Sequence, residues 1–354
     1  MVGRVAFAVP GDLATPTGGY AYDRRMIAEL RRLGWDVDVL DLGAGFPRPS
    51  PPVRARAMER LSSVPHGGAI VIDGLALGVL PEVETLRRDH PLVGLVHHPL
   101  ALESGLAAAD AQALRRSERA ALATVRHVVT TSASTAGMVV RDYAVAPDRV
   151  TVAPPGNDRV RFAEGSRNGT TALLAVGAIV RRKGYDVLLA ALAGLGDLSS
   201  HDPPWRLTIA GDRGRDAREA ARVDAAIARY RLGDRVSVPG AVSAERLTEL
   251  YVGADIFVLA SRFEGYGMVY AEAIAHGLPV IGTTAGAIPD TVPAAASLLV
   301  PPDDVVALTA ALRRLIVDTA DRRRLATAAR AAALQLPTWE GSAALFARAI
   351  EAAT

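Results

Sequence analysis

The stretch Ile256-Phe257-Val258-Leu259, followed by Ser261-Arg262-Phe263-Glu264-Gly265-Tyr266-Gly267-Met268-Val269-Tyr270-Ala271-Glu272-Ala273-Ile274-Ala275-His276-Gly277-Leu278-Pro279-Val280, decides how this chain is read. A continuous apolar run makes a buried strand, a glycine-bearing loop follows, and a helical pattern over Met268–His276 leads into a further strand at Val280–Ile281. Strand, loop, helix, strand is the repeating unit of a parallel sheet. The turn Gly265-Tyr266-Gly267 before Met268 presents free backbone N–H groups and the positive end of the peptide dipoles, which suits phosphate. Glu264 lies in that loop and Glu272 lies one to two turns into the helix. A carboxylate accepts hydrogen bonds at both oxygens and can hold a vicinal diol. Read singly, Glu264 is equally a helix-start acid and Glu272 a surface ion-pair member.

The same alternation extends in both directions. Strands are expected at Arg4–Val9, Asp36–Leu40, Ala69–Ile72, Leu92–Val96, His127–Thr131 and Val150–Val152, with helical patterns at Tyr20–Leu33, Ala107–Ala123 and Ser134–Arg141. Turn-rich clusters at Pro154-Pro155-Gly156-Asn157 and Glu164-Gly165-Ser166-Arg167-Asn168-Gly169 read as a linker. Beyond them strands recur at Ala172–Val176, Arg206–Ala210, Val236–Val238, Ile256–Leu259 and Val280–Ile281. Helices are expected at Tyr185–Ala193, Asp216–Tyr230, Ala244–Val252, Met268–His276, Val305–Val317 and Ala320–Leu334. The fold class is therefore α/β, with two doubly wound Rossmann-type domains. Residues 1–158 form the first, 159–169 the linker and 170–337 the second; 338–354 form a last helix expected to cross back to the first domain. Open parallel sheets bind ligands beyond the carboxyl ends of their strands, and two such domains facing across a cleft suit the joining of two substrates.

Composition narrows the chemistry. The 354 residues are 50% apolar and 22% charged, with no cysteine, which excludes disulfides, thiolate metal sites and a Cys nucleophile. No run reaches the ~18 apolar residues of a membrane-spanning helix. The apolar N-terminal run is closed by Pro10 and reads as a strand rather than a signal-peptide core, so the cytoplasm is the expected location. The net charge is +2, and no basic stripe with interleaved aromatics points to nucleic acid. Arg48, Arg54, Arg56 and Arg60 cluster in a Pro-rich stretch that reads as a solvated loop; a membrane-facing patch is the weaker reading. The only Lys among the 40 basic residues is Lys183. In a chain that otherwise uses Arg, a single Lys suggests a site wanting a compact ammonium.

Other candidates sit at strand ends. Gly18-Gly19 before a helix lets the backbone approach a ligand closely, and the loop is not the G-x-G-x-x-G fingerprint of a nicotinamide enzyme. Val96-His97-His98-Pro99 ends the fourth strand. Its neighbouring imidazoles point to opposite faces and make a poor metal pair, but one should face the ligand side. No metal cluster is legible. Thr131-Ser132 reads mainly as a helix cap, Asp212 as a loop residue or a nucleoside neighbour, and Gly240-Ala241-Val242 as a weak border to the base.

The run E-G-x-G-x-x-x-x-E-A ending in G-L-P-V-I resembles retaining glycosyltransferase family 4, over nearly the whole chain. The resemblance implies the GT-B architecture, a nucleotide-sugar co-substrate and no other cofactor. It places Glu264 by the donor sugar and Glu272 on the ribose hydroxyls. The segment Gly177-Ala178-Ile179-Val180-Arg181-Arg182-Lys183-Gly184 resembles the family's G-R-L…K-G diphosphate clamp. Lys183 matches its Lys, Ala178 replaces its Arg, and Arg181 or Arg182 is the expected substitute. Gly18 and Gly19 match a glycine pair facing donor and acceptor, and His97, with His98 as fallback, the residue near the transferred sugar. The expected activity is transfer of a sugar from a UDP- or GDP-sugar to a hydroxyl acceptor (glycan, lipid-linked or small metabolite), with retention and without metal. A sugar-nucleotide epimerase and a non-catalytic nucleotide-sugar binder are the alternatives.

Overall fold

The computed structural model describes residues 3–15, 17–103, 105–196 and 203–354. It resolves into two compact units, Met1–Gly156 with Pro337–Thr354, and Asn157–Leu336.

The first unit is a six-stranded parallel sheet of β1 (Arg4–Val9), β2 (Asp36–Asp41), β3 (Ala69–Asp73), β4 (Leu92–Val96), β5 (His127–Thr130) and β6 (Val150–Val152), in the order β2-β1-β3-β4-β5-β6. Strands β3, β4 and β5 are buried on both faces, hence their unbroken Val, Ile and Leu runs. Helix α1 (Gly18–Arg32) follows β1, with Thr17 accepting from the Tyr20 amide as N-cap. The chain's last helix, Trp339–Ala353, belongs to this unit. Its Phe346 stacks on Phe7 of β1 at 6.0 Å, and the Ala353 carbonyl accepts from Arg126 at 3.0 Å. Thr338 caps it by accepting from Gly341 N.

The second unit repeats the plan with β7 (Thr171–Val176), β8 (Trp205–Ala210), β9 (Val236–Gly240), β10 (Ile256–Val258), β11 (Val280–Thr283) and β12 (Ser297–Val300), ordered β12-β11-β10-β7-β8-β9. Helix α2 (Tyr185–Ala193) follows β7 and α3 (Met268–Ala275) follows β10.

Three sequence readings need correction. The Pro-rich stretch bearing Arg54, Arg56 and Arg60 is a helix, Pro51–Ser62; its prolines occupy the first turn, where their missing N–H costs nothing. Strand β12 escaped the pattern because it is a short, half-buried edge strand behind three alanines. Residues 159–169 are packed onto the second unit rather than spanning freely: Ala163 N donates to His276 O at 2.7 Å, Glu164 N to Val252 O at 2.8 Å, and Arg330 lies over the Phe162 ring. Among the described residues no helix is long and apolar enough to cross a membrane.

Candidate functional site

In each sheet the strand order reverses at one place, and the crevice beyond the carboxyl ends of those two strands is where such folds hold ligands. In the second unit the reversal lies between β7 and β10. Lys183 comes from a 3₁₀ turn after β7, Glu264 from the loop after β10, and they meet. Lys183 Nζ donates to Glu264 Oε1 at 2.9 Å, Ser261 Oγ donates to the same oxygen at 2.7 Å, and Arg182 donates to Oε2 at 2.9 Å and to the Phe263 carbonyl at 2.7 Å. The backbone holds the two loops together through glycines. Gly184 has φ +67° and a Cβ there would lie 2.0 Å from Ala260 O, while Gly286, at φ +58°, would meet Glu264 O at 2.3 Å. No other residue fits either place.

Burial of Glu264 would raise its pKa, but Arg182 and Lys183 outweigh it and hold the carboxyl down at about 2. Burial lowers the pKa of Lys183, only partly opposed by Glu264 because Arg182 adds a second cation. Two cations around one carboxylate leave a positive surplus, a suitable counter-charge for phosphate. Glu272 lies one turn into α3, and its Oε2 accepts from Tyr251 OH at 2.9 Å. Burial raises its pKa and the Tyr251 bond opposes the rise. Tyr251 in turn stacks on His276 at 4.7 Å, fixing the phenol. Gly267 is the N-cap of α3, with Gly265, Tyr266 and Met268 beside it, and the Tyr266 carbonyl accepts from Thr291 at 2.5 Å.

The other candidates fall less simply. Arg181 or Arg182 was expected to replace the missing Arg at Ala178; the Arg182 guanidinium reaches Glu264 and the Phe263 carbonyl. Arg181 is exposed, and its carbonyl accepts from Arg262 at 2.7 Å. Asp212 accepts from Gly214 N at 2.7 Å, closing its own turn. Ser132 caps a helix by accepting from Thr135 N.

In the first unit the reversal lies between β1 and β3. Asp23, on α1, and Asp73, at the end of β3, flank it. His97, just past β4, sits between them with Nε2 at 3.2 Å from Asp23 Oδ1 and 3.2 Å from Asp73 Oδ2. The three donor groups lie within 4.8 Å of one another. His98 instead pairs with Glu103 at 3.5 Å. Gly19 packs against the His97 ring, whose Cδ2 would lie 3.4 Å from a Cβ at that position. Gly18 opens α1. Sequence reading missed both aspartates. Asp23 carried a usable signal, because it shares the i, i+3, i+4, i+7 stripe of Met26, Ile27 and Leu30, the face α1 buries.

Residues 156–332, half of the chain, match the family model described as Glycosyl transferases group 1. The chain belongs to the group 1 glycosyl transferases. Among relatives of this group 1 chain, mannosylfructose-phosphate synthase of Agrobacterium fabrum is 31% identical over 46% of this chain and 38% of its own length. An MMP alpha-(1->4)-mannosyltransferase of Mycolicibacterium hassiacum is 28% identical over 70% of this chain and 61% of its own. D-inositol 3-phosphate glycosyltransferase of Rhodococcus opacus is 30% identical over 58% and 50%. The chain thus spans between 38% and 61% of these curated relatives. The fold of the group 1 chain is that of sucrose-phosphate synthase from Thermosynechococcus elongatus, with a TM-score of 0.83, 24% identity and 98% of each chain covered. It is also that of Anabaena HepE in complex with UDP-glucose, with a TM-score of 0.79, 19% identity, and 98% and 99% covered. Both α/β sheets are therefore of the GT-B type.

Proposed function

We propose that this protein is a retaining glycosyltransferase of family 4 that moves a sugar from a nucleotide-diphosphate donor, UDP- or GDP-linked, to a hydroxyl acceptor. The observation that carries the reading is the Lys183–Glu264–Arg182 group at the strand reversal of the second unit, a positively biased site beside a glycine-capped helix start. On this reading the diphosphate takes over Lys183 and the amides at Gly265–Gly267, and Glu272, held by Tyr251, binds the ribose hydroxyls. The bond from the sugar's anomeric carbon to the β-phosphate oxygen breaks and the nucleoside diphosphate leaves. The acceptor oxygen bonds to the same face of that carbon and passes its proton to the departing phosphate. Lys183 stabilises the charge that gathers on the leaving group. No protein nucleophile and no metal is assigned a step.

The relatives' names support the class, and those that name inositol 3-phosphate and fructose-phosphate put phosphorylated polyols first in an acceptor panel. A thermal-shift series with UDP-, GDP- and ADP-sugars tests donor binding, since a ligand that prefers the native state raises apparent stability. Mass-spectrometric detection of glycosylated product with the best donor then tests transfer. No shift with any donor would count against the whole reading. A shift without turnover, abolished in Lys183→Ala, would favour a nucleotide-sugar binder, the reading that Ala178 in place of Arg lends weight to.

A further inference from the structure

Arg262 follows Ser261, whose hydroxyl holds Glu264, but its own guanidinium goes elsewhere. Each of its three nitrogens donates to a different segment. Nη1 donates to the Arg181 carbonyl at 2.7 Å, Nη2 to Asp186 Oδ2 at 2.8 Å and Nε to Asp303 Oδ1 at 2.7 Å. The Arg262 amide adds a fourth bond, to the Arg182 carbonyl at 2.8 Å. Arg181 belongs to the 3₁₀ turn Arg181–Lys183 after β7, Asp186 to the first turn of α2, and Asp303 to the loop between β12 and the helix Val305–Val317. The turn is three residues long, and the bond that closes it, Gly184 N to Arg181 O, is 3.2 Å. Asp303 sits at φ +62°, where a residue other than glycine is uncommon. Burial would raise the Asp186 carboxyl, but Arg262 outweighs it and holds that carboxyl below its ordinary value. A planar guanidinium offers donors in three directions, whereas an ammonium has one nitrogen.

We propose that Arg262 is a positioning residue for the donor diphosphate: it pins the turn carrying Lys183 and Arg182 to the loop carrying Glu264, through bonds that leave Lys183 free to turn to phosphate. The inference rests on the reading that a nucleotide diphosphate takes over Lys183. On that reading the Lys183–Glu264 bond, 2.9 Å long, is given up when the donor binds. The two loops then need a link that the diphosphate does not replace, and Arg262 is that link. Two carboxylates and one carbonyl already surround its guanidinium, so a further anion there meets like charge. The Lys183–Arg182–Glu264 group has the opposite balance, two cations to one carboxylate. Arg262 therefore acts on the donor through Lys183 and not by touching it. A turn fixed beforehand presents the ammonium in place, so its ordering is not charged to the binding step.

A double-mutant cycle with Lys183→Ala tests this, with affinity read by titration calorimetry on the full chain. The probe is the best bound of UDP-glucose, GDP-mannose and ADP-glucose. Arg262→Gln should weaken it about tenfold, the scale of one hydrogen bond to a charged group. Arg262→Lys should recover only part of that loss, because one ammonium does not span three acceptors. In the Lys183→Ala background, Arg262→Gln should cost at most about twofold, since a residue that acts through Lys183 has nothing left to position. Unchanged affinity in Arg262→Gln overturns the proposal. So do equal losses in both backgrounds, which would mark a direct contact or a general loosening. If Arg262→Gln does not fold, Asp186→Asn combined with Asp303→Asn loosens the same staple at side chains that are 53% and 59% exposed. That pair should weaken the donor about threefold, in line with partly exposed ion pairs, and only while Lys183 is present. Parent-like affinity in it overturns the proposal. A parent that binds none of the three donors overturns the proposed function and this inference with it. Donor binding that ignores Arg262 overturns the inference alone.

Discussion

The two units use one topology and opposite charge arithmetic. Each gathers three ionisable groups where its strand order reverses. In the second unit two cations, Lys183 and Arg182, share one carboxylate, Glu264, and its pKa falls to about 2. In the first, two carboxylates, Asp23 and Asp73, share one imidazole, His97, and its pKa rises to about 10. Burial acts against the charged form in both groups, so in both it is the majority charge that wins. The comparison teaches that the backbone chooses the place and the side chains choose the balance of charge: a cation surplus in the second unit, two carboxyls to one imidazole in the first.

The largest effect that tests this contrast is expected from Glu264→Gln. It keeps shape but leaves the buried Lys183 and the half-buried Arg182 uncompensated, and should destabilise the protein by about 3 kcal/mol. In the parent, the depressed Glu264 pKa contributes stability above about 4.5 that is lost as pH falls toward about 2. The melting temperature followed across that range should lose this acid limb in the variant, and an unchanged limb would show that Glu264 is not the group responsible. Next in size, Lys183→Ala should lower kcat by about 10²–10³-fold, the scale of losing one donor to a charged transition state. Lys183→Arg should not restore it, because a planar fork does not replace a point charge beside Arg182. Full rescue by Arg would reduce Lys183 to a generic cation.

The first unit should answer at the other end of the pH scale. The raised His97 pKa contributes stability that is complete below about 6.5 and is lost as pH climbs toward about 10. His97→Gln should flatten this basic limb of the melting curve, at roughly 2–4 °C per kcal/mol lost. A basic limb equally steep in both proteins would break the contrast. The smallest effect is expected from Tyr251→Phe, which deletes one donor to Glu272. Donor KM should rise about tenfold with kcat little changed, in line with ~1.5 kcal/mol for a hydrogen bond to a charged group. An unchanged KM would remove Glu272 from the ribose.

Much of this was legible before folding. The apolar runs and their helical interludes gave eleven of the twelve strands among the described residues; the edge strand Ser297–Val300 and the Pro-headed helix Pro51–Ser62 hid, one for want of burial and the other behind its prolines, and so did the four-residue helices Gly74–Leu77 and Ile288–Thr291. Lys183 stood out by its singularity, and Glu264 and Glu272 by their spacing about a glycine turn. The partners of Arg182 were not legible, because adjacency in sequence to Lys183 does not reveal which carbonyl and carboxylate its guanidinium reaches.

The sequence by itself determined the periodicity, and with it two parallel sheets and the strand ends at which chemistry collects. Periodicity is local, since a side chain's face follows from its position along one strand or helix. Only the tertiary structure decided partners: Glu264 with Lys183 across 81 positions, and His97 with Asp23 across 74. Those pairings arise where crossover connections bring distant strand ends side by side, and the charge of a buried group is set by whichever neighbours the fold delivers.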